Sequence, residues 1–302
     1  MLQTYSEKNK DLIVCVNGEF AHRDSAGISP FDSSVQNGDA VWEGLRLYNG
    51  RVFKLRQHLD RMRRSAEILQ YEGYPDDERL ISDLRETLRR NDMVDEVHVR
   101  MTVTRGVKYT SGLDPRINQT GCSHIILAEH KPLVFNTDGI TLCKAQHRRP
   151  PASVLNQKVH SCNQLTSILA KLEANAAGTD DALLLDLDGN VAETSSTHIF
   201  AVIDGVITTS QTTACPEGIT RQTILDLASR HGVPNAVRDI SFEELPNASE
   251  IFVSGTMGEL VPVIALDQHR YAERIWCDRF THWLRTEIEA SDEEPLIELR
   301  TT

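Results

Sequence analysis

The stretch Lys158 to Ala174, KVHSCNQLTSILAKLEA, followed by Glu193 to Phe200, ETSSTHIF, decides how this chain is read. The spacing of apolar residues after Asn163 predicts a helix over 163–177. Beyond it, 182–186 reads as a strand, Asp188-Gly189 as a turn and 191–195 as a second strand. A third strand over 199–203 follows, closed by the turn Asp204-Gly205. On an extended segment Lys158 and His160 would face the same side, about 6.6–7 Å apart.

Working outward towards the N-terminus, residues 11–24 alternate around Asn17-Gly18 and predict a β-hairpin. A second hairpin joins 40–48 to 51–55 through Asn49-Gly50. Leu55, Leu59, Met62, Ala66 and Leu69 share one helical face, and a further helix covers 80–88. Val97, Val99, Met101 and Val103 alternate along a strand over 98–104, and 124–128 is another strand. Pro132 and the run Asn136-Thr137-Asp138-Gly139 break the pattern, which divides the chain into 1–130, a linker over 131–139, and 140–302. The second part continues with a strand over 140–144, a break at Pro150-Pro151, a helix over 220–231, a strand over 250–254 and a helix over 271–285. The last residues, ASDEEPLIELRTT, read as a loose tail. The whole is an α/β (α+β) protein in two domains.

Composition narrows the function. With 302 residues, 40% hydrophobic and 25% charged, the chain has the balance of a soluble globular protein. A net charge of −12 argues against general nucleic-acid binding, which needs a basic footprint. No apolar run reaches membrane-spanning length, and the first residues lack the apolar core of a secretion signal. Six cysteines without a CxxC pair fit reduced thiols in the cytoplasm, and the 11 histidines form no HExxH or similar spacing, so no metal site is expected.

Chemistry enters through motifs that are weak singly. GITRQTIL over 218–225 is a glycine before a helix whose first free amides favour an anion such as a phosphate ester. SGTMGELVPV over 254–263 is a glycine-threonine turn after a strand, where amides can again meet an anion. Arg61 sits on a helix with an apolar opposite face. Their order is more informative: GDAVWEGLRLYNGRVFKLRQHLDRM (38–62), KLEA (171–174), LLLDLDGNVAE (183–193), GITR (218–221) and SGTMGELVPV together resemble the fold-type IV enzymes that use pyridoxal 5'-phosphate (PLP). These include branched-chain aminotransferases, D-amino acid aminotransferases and aminodeoxychorismate lyases. The likeness runs from about residue 16 to 263.

The resemblance implies a two-domain fold and a set of roles. Arg61, the amides of Ile219 and Thr220, and Thr256 would hold the cofactor phosphate. Glu193 would keep the pyridine nitrogen protonated, so that the ring can take up electrons. Arg100, in His98-Val99-Arg100, stands where branched-chain enzymes carry Tyr-x-Arg, and would meet a substrate carboxylate. Trp42 replaces a usual phenylalanine or tyrosine and would wall an apolar pocket or pack in the core. The Thr256-Met257 amides would take the α-carboxylate. The usual Lys-x-x-Asn-Tyr reads His160-Ser161-Cys162-Asn163-Gln164, so His160 occupies the position of the lysine that binds PLP covalently, and Gln164 that of the tyrosine.

Imidazole can move a proton near neutrality but cannot replace the amine as an anchor. PLP would then be held noncovalently, unless Lys158 reaches it. The leading expectation is an aminotransferase most similar to the branched-chain group, acting on a small amino acid and a 2-oxo acid. Two alternatives are a lysine-free lyase or dehydratase with His160 as base, and an inactive binding protein on the same scaffold. Homodimers or higher homo-oligomers are expected by resemblance.

Overall fold

The computed structural model describes residues 5–133 and 138–298. Two compact units emerge. The N-terminal unit holds 5–132, Val159–Asn163 and 291–298, and the C-terminal unit holds 133, 138–158 and Gln164–Ala290. Part of the expected linker, residues 134–137, lies outside the described residues.

In the N-terminal unit β1 (Ile13–Val16), β2 (Glu19–His22), β3 (Ala40–Tyr48), β4 (Arg51–Val52), β5 (Val97–Thr104) and β6 (Ser123–His130) form an antiparallel sheet. Their order is β2-β1-β6-β5-β3-β4. The hairpins turn where expected, because Asn17-Gly18 and Asn49-Gly50 all take the positive φ of a tight primed turn. Helices α1 (Ser33–Asn37), α2 (Leu55–Ile68) and α3 (Asp77–Arg90) complete the unit. Val97, Val99, Met101 and Val103 are fully buried beneath Leu59, Met62, Leu80, Leu84 and Leu88, the apolar stripes of α2 and α3.

The terminal segment is not loose. Leu296 is buried in this core, and the amides of Leu296 and Ile297 donate to the Gly50 carbonyl. A side chain at Gly50 would run into the Ile297 carbonyl. The Glu293 carboxylate accepts the Leu55 amide at 3.2 Å, supplying the start of α2 with the anion that Lys54 cannot offer as its cap. The expectation of a free tail is corrected by these long-range contacts, which no local pattern reveals. Residues 299–302 lie outside the described residues.

The C-terminal unit contains β7 (Ile140–Arg148), α4 (Leu165–Ala177), β8 (Asp181–Leu185), β9 (Val191–Thr194), β10 (His198–Ile203), β11 (Val206–Thr209), α5 (Ile219–Arg230), β12 (Asn235–Val237), β13 (Glu250–Gly255), β14 (Glu259–Leu266), β15 (His269–Arg270) and α6 (Ile275–Glu289). The sheet order is β12-β11-β10-β13-β14-β7-β8-β9, with β15 paired to β14. Strands β8, β9 and β10 are almost wholly buried; β8 and β10 carry near-continuous apolar runs, whereas β9 takes Glu193 and Thr194 inside with it. No helix among the described residues is long and apolar enough to cross a membrane.

Candidate functional site

In the N-terminal unit, the inward phase of β3 reads Val41, Glu43, Leu45, Leu47, so a carboxylate is carried into the core with three aliphatic neighbours. The side of α2 that meets it carries His58, Arg61 and Ser65. Arg61 grips the fully buried Glu43 with two bonds, Nε to Oε1 at 2.8 Å and Nη2 to Oε2 at 2.6 Å. His58 Nδ1 lies 2.7 Å from Oε2, and His160 Nδ1 lies 3.3 Å from Oε1. Arg61 and the two imidazoles hold the Glu43 carboxyl well below the ordinary carboxylate range despite its burial. Burial, with Arg61 adding to it, pushes the His160 imidazole below its ordinary value.

The segment bearing His160 is an added edge on β3. The Trp42 amide donates to the His160 carbonyl at 3.0 Å, the Cys162 amide donates to the Ala40 carbonyl at 2.8 Å, and Ser161 bridges to Val41. The His160 amide donates to Ser65 Oγ at 3.1 Å, and its ring stacks on Trp42 with centroids 4.5 Å apart. Residue Val159 points into the unit's core. Lys158, however, lies in a turn, not on a strand, so the same-side spacing expected for it and His160 does not hold. Its exposed amine pairs with Glu217 at 3.2 Å in the C-terminal unit. Gln164 is the residue just before α4 in that same unit.

On the opposite face of the β3–β5 pair, register places Trp42, Gly44 and Arg46 against Thr102, Arg100 and His98. The Arg100 guanidinium lies over the Trp42 ring, 3.9 Å from its centre, and reaches Cys162 Sγ at 3.7 Å. Burial and the cations Lys131, Arg100 and Arg46 push the His98 imidazole down to about 3, and both its ring nitrogens are buried without a hydrogen-bond partner among the described residues.

In the C-terminal unit, Glu193 on β9 is buried and pairs with the buried Arg149 at 3.0 Å. Arg149 Nη2 also donates to Ser167 Oγ on α4 and to the Thr194 carbonyl. A tight turn, tied by Thr194 and Thr197 through side chains and backbone, brings β10 back beside β9. It sets the ring of His198 and the thiol of Cys215 near the Glu193 carboxylate, their polar atoms all within 4.8 Å of one another. Burial pushes the Cys215 thiol well up, with Glu193 adding to it.

Gly218 precedes α5 and packs on the His198 ring so closely that a Cβ would collide with it. Having no side chain, Gly218 leaves the first turn, Ile219 and Thr220, without a side-chain cap. Register pairs His198 with Ser254, so the half-buried turn Gly255-Thr256-Met257 at the end of β13 belongs to the same end of this sheet. Gly218→Ala should lower the thermal midpoint and weaken inorganic phosphate binding to the apo protein. Unchanged values in calorimetry and phosphate titration would show that the close approach has no role.

The family model described as "Amino-transferase class IV" matches residues 40–266. The chain belongs to this family. Among the similar proteins, "Branched-chain-amino-acid aminotransferase-like protein 2" of Arabidopsis thaliana is 44% identical over 261 residues, covering 86% of this chain and 47% of that protein. The chain thus spans about half the length of that curated relative. A crystal structure of a branched-chain aminotransferase from Thermoproteus uzoniensis with norvaline superposes with a TM-score of 0.87 at 27% identity, covering 95% of this chain and 100% of that one. The T.th. branched-chain amino acid aminotransferase complexed with N-(5'-phosphopyridoxyl)-L-glutamate gives 0.84 at 30% identity, over 92% and 94% of the two chains. The two-domain, mixed α/β fold expected from the motif order is therefore the class IV aminotransferase fold, and the relatives include branched-chain aminotransferases and a D-alanine aminotransferase of Bacillus licheniformis, 30% identical over 84% of this chain and 88% of that protein.

Several residues around the class IV motifs escaped the sequence reading. Glu43 and His58 were each visible as polar residues on an otherwise apolar phase, of β3 and α2 respectively. Arg149, His198 and Cys215 gave no local signal, since each meets Glu193 only through the fold.

Proposed function

We propose that this chain is a PLP-dependent aminotransferase that moves an amino group between a small, branched-chain type amino acid and a 2-oxo acid. The observation that carries the reading is the end of the C-terminal unit where the buried, arginine-held Glu193 neighbours His198, on whose ring the uncapped start of α5 is packed. A phosphorylated pyridine needs an anion cradle and an acid for its ring nitrogen, and this unit offers both. In the bound state PLP supplies a ring that takes up the electron pair left at the substrate α-carbon.

The chain's residues do the rest. Within the C-terminal unit the Ile219 and Thr220 amides and Thr256 receive the phosphate; in the N-terminal unit Arg61 is a cation for an anion. Glu193 holds a proton on the ring nitrogen, and Arg149 fixes its carboxylate. Arg100 meets a substrate carboxylate, His98 and Trp42 line its side, and the Met257 amide region takes the α-carboxylate. His160 carries the proton to and from the α-carbon. Because imidazole is no substitute for an amine anchor, the cofactor is held noncovalently, and Lys158 stays in its surface pair with Glu217. Single-turnover assays of the PLP-loaded protein with leucine, valine and glutamate test this reading. A stoichiometric 2-oxo acid from leucine or valine supports it; release no faster than with free PLP sinks it.

We further infer a homodimer in the cytoplasm. Leu165, Ile168, Leu169 and Leu172 recur at helical spacing on α4, yet remain 71%, 52%, 40% and 57% exposed. Such an apolar stripe is unfavourable in water and suits burial against a second copy. The double substitution Ile168→Glu, Leu172→Glu should shift sedimentation from dimer to monomer. A variant that sediments like the wild type would exclude α4 from the interface.

A further inference from the structure

We propose that Glu43 is the positioning residue that fixes His160 as its Nδ1–H tautomer and leaves Nε2 to carry the substrate proton. The inference rests on the reading of His160 as proton carrier. An ionised carboxylate is an acceptor only, with about four lone-pair directions. Four nitrogens approach Glu43: Arg61 Nε and His160 Nδ1 at Oε1, at 2.8 and 3.3 Å, and Arg61 Nη2 and His58 Nδ1 at Oε2, at 2.6 and 2.7 Å. For each contact to be a hydrogen bond, the nitrogen must present a hydrogen. Arg61 Nη2, which keeps a second hydrogen besides the one on Oε2, also lies 3.4 Å from His160 Nδ1; we assign Nδ1 to the nearer, ionised Oε1 at 3.3 Å. A lone pair on Nδ1 would face the Glu43 oxygen and repel it. The Nδ1 proton thus belongs on the Glu43 side.

Accessibility separates the two imidazoles on this carboxylate. The His58 side chain is 3% exposed and that of His160 is 14%. His58 is a buried partner, while His160 keeps an opening to the outside. Its backbone is locked by Ser65 and Trp42, and its ring by the Trp42 stack, so the tautomer is fixed on a ring that cannot turn over freely. When the substrate Cα–H bond breaks, its electron pair would remain on the substrate carbon, delocalised by the ring that PLP supplies when bound, and Nε2 would take the proton. Glu43 then stabilises the imidazolium until the proton is returned, as an orienting carboxylate does for a catalytic histidine. Among the described residues, Arg61, His58 and Glu43 are the charged and titratable groups facing His160. Burial and Arg61 lower its pKa, so the rate should fall as pH drops through a value below 6.5.

Nitrogen-15 spectra of the imidazoles in the cofactor-free protein, with His160 assigned through His160→Gln, read the tautomer directly. The expected result is hydrogen on Nδ1 and a bare Nε2; hydrogen on Nε2 overturns the proposal whatever the enzyme does. In Glu43→Gln an amide nitrogen at the Oε1 place would displace the Nδ1 proton, and an uncharged amide in either orientation stabilises the imidazolium less, so kcat should fall about 100-fold with little change in KM. Glu43→Asp, which keeps an acceptor-only group, should recover part of the rate and the tautomer. Full activity in Glu43→Gln also overturns the proposal. If Glu43→Gln does not fold, the wild-type spectrum and Glu43→Asp decide alone. An Nδ1–H ring in a protein that converts no amino acid would uphold Glu43's hold on the ring and overturn the aminotransferase reading, so the two failures look different.

Discussion

Arg61→Met should destabilise the protein by about 3–5 kcal/mol, the cost of leaving a buried charge without its partner. Glu43 is fully buried, and among its described partners Arg61 is the one that remains charged at neutral pH, because burial lowers the pKa of both His58 and His160. The double variant Glu43→Gln, Arg61→Met should lose less than the sum of the two single losses, since neither member is then stranded. Urea unfolding followed by hydrogen exchange in β3 and α2 measures this within the N-terminal unit, where a single global transition cannot be assumed for a two-unit chain. Equal and additive losses would show that the pair is not coupled.

The same cluster sets the acid response. Glu43 has a depressed pKa, so its contribution is present above the unfolded value near 4.5 and is lost as pH falls through the lower folded value. His58, His160 and His98 are also depressed, so the unfolded chain binds their protons first. Their contribution is full above about 6.5 and declines as pH falls, for His98 down to about 3. Stability should therefore drop from pH 7 to pH 5. A urea midpoint that rises over that interval would contradict the buried-neutral assignment.

His160→Ala should lower the single-turnover rate by roughly 100- to 10,000-fold, the range for losing a positioned acid–base group. It should leave PLP affinity nearly unchanged, because the residues proposed for the phosphate and ring nitrogen are others. His160→Lys should do the opposite to the cofactor's mode of binding. It places an amine where the sequence resemblance puts the family's lysine, so borohydride should then fix a pyridoxyl group on residue 160. Stopped-flow rates and peptide mass mapping distinguish these outcomes. An alanine variant as fast as the wild type would remove His160 from the chemistry.

Much of the fold was legible because it rests on local pattern. The apolar alternation of β5, the stripe of α2 and the two Asn-Gly turns each specify their element within a few residues. Helix boundaries moved where no side-chain cap marks the start: α4 begins at Leu165 rather than Asn163, and α6 spans Ile275–Glu289 rather than 271–285. The C-terminal segment gives no local sign of its docking, because Leu296 and Glu293 meet Gly50, Arg51 and Leu55, far away in sequence. Lys158 was misread because an extended segment was assumed where the chain turns. The motifs marked Arg61, Glu193 and the start of α5, but not what holds them. Glu43 and Arg149 are contacts of tertiary structure, and only Glu43 left a trace, as a charge on an apolar phase.

In the proposed enzyme, charge and backbone grip the cofactor without a covalent bond. Titration of the wild-type protein with PLP, followed by borohydride, dialysis and intact-mass measurement, tests it most directly. The account predicts saturable binding that dialyses away and leaves the polypeptide mass unchanged. No saturable binding, or a pyridoxyl group fixed on Lys158, would contradict it.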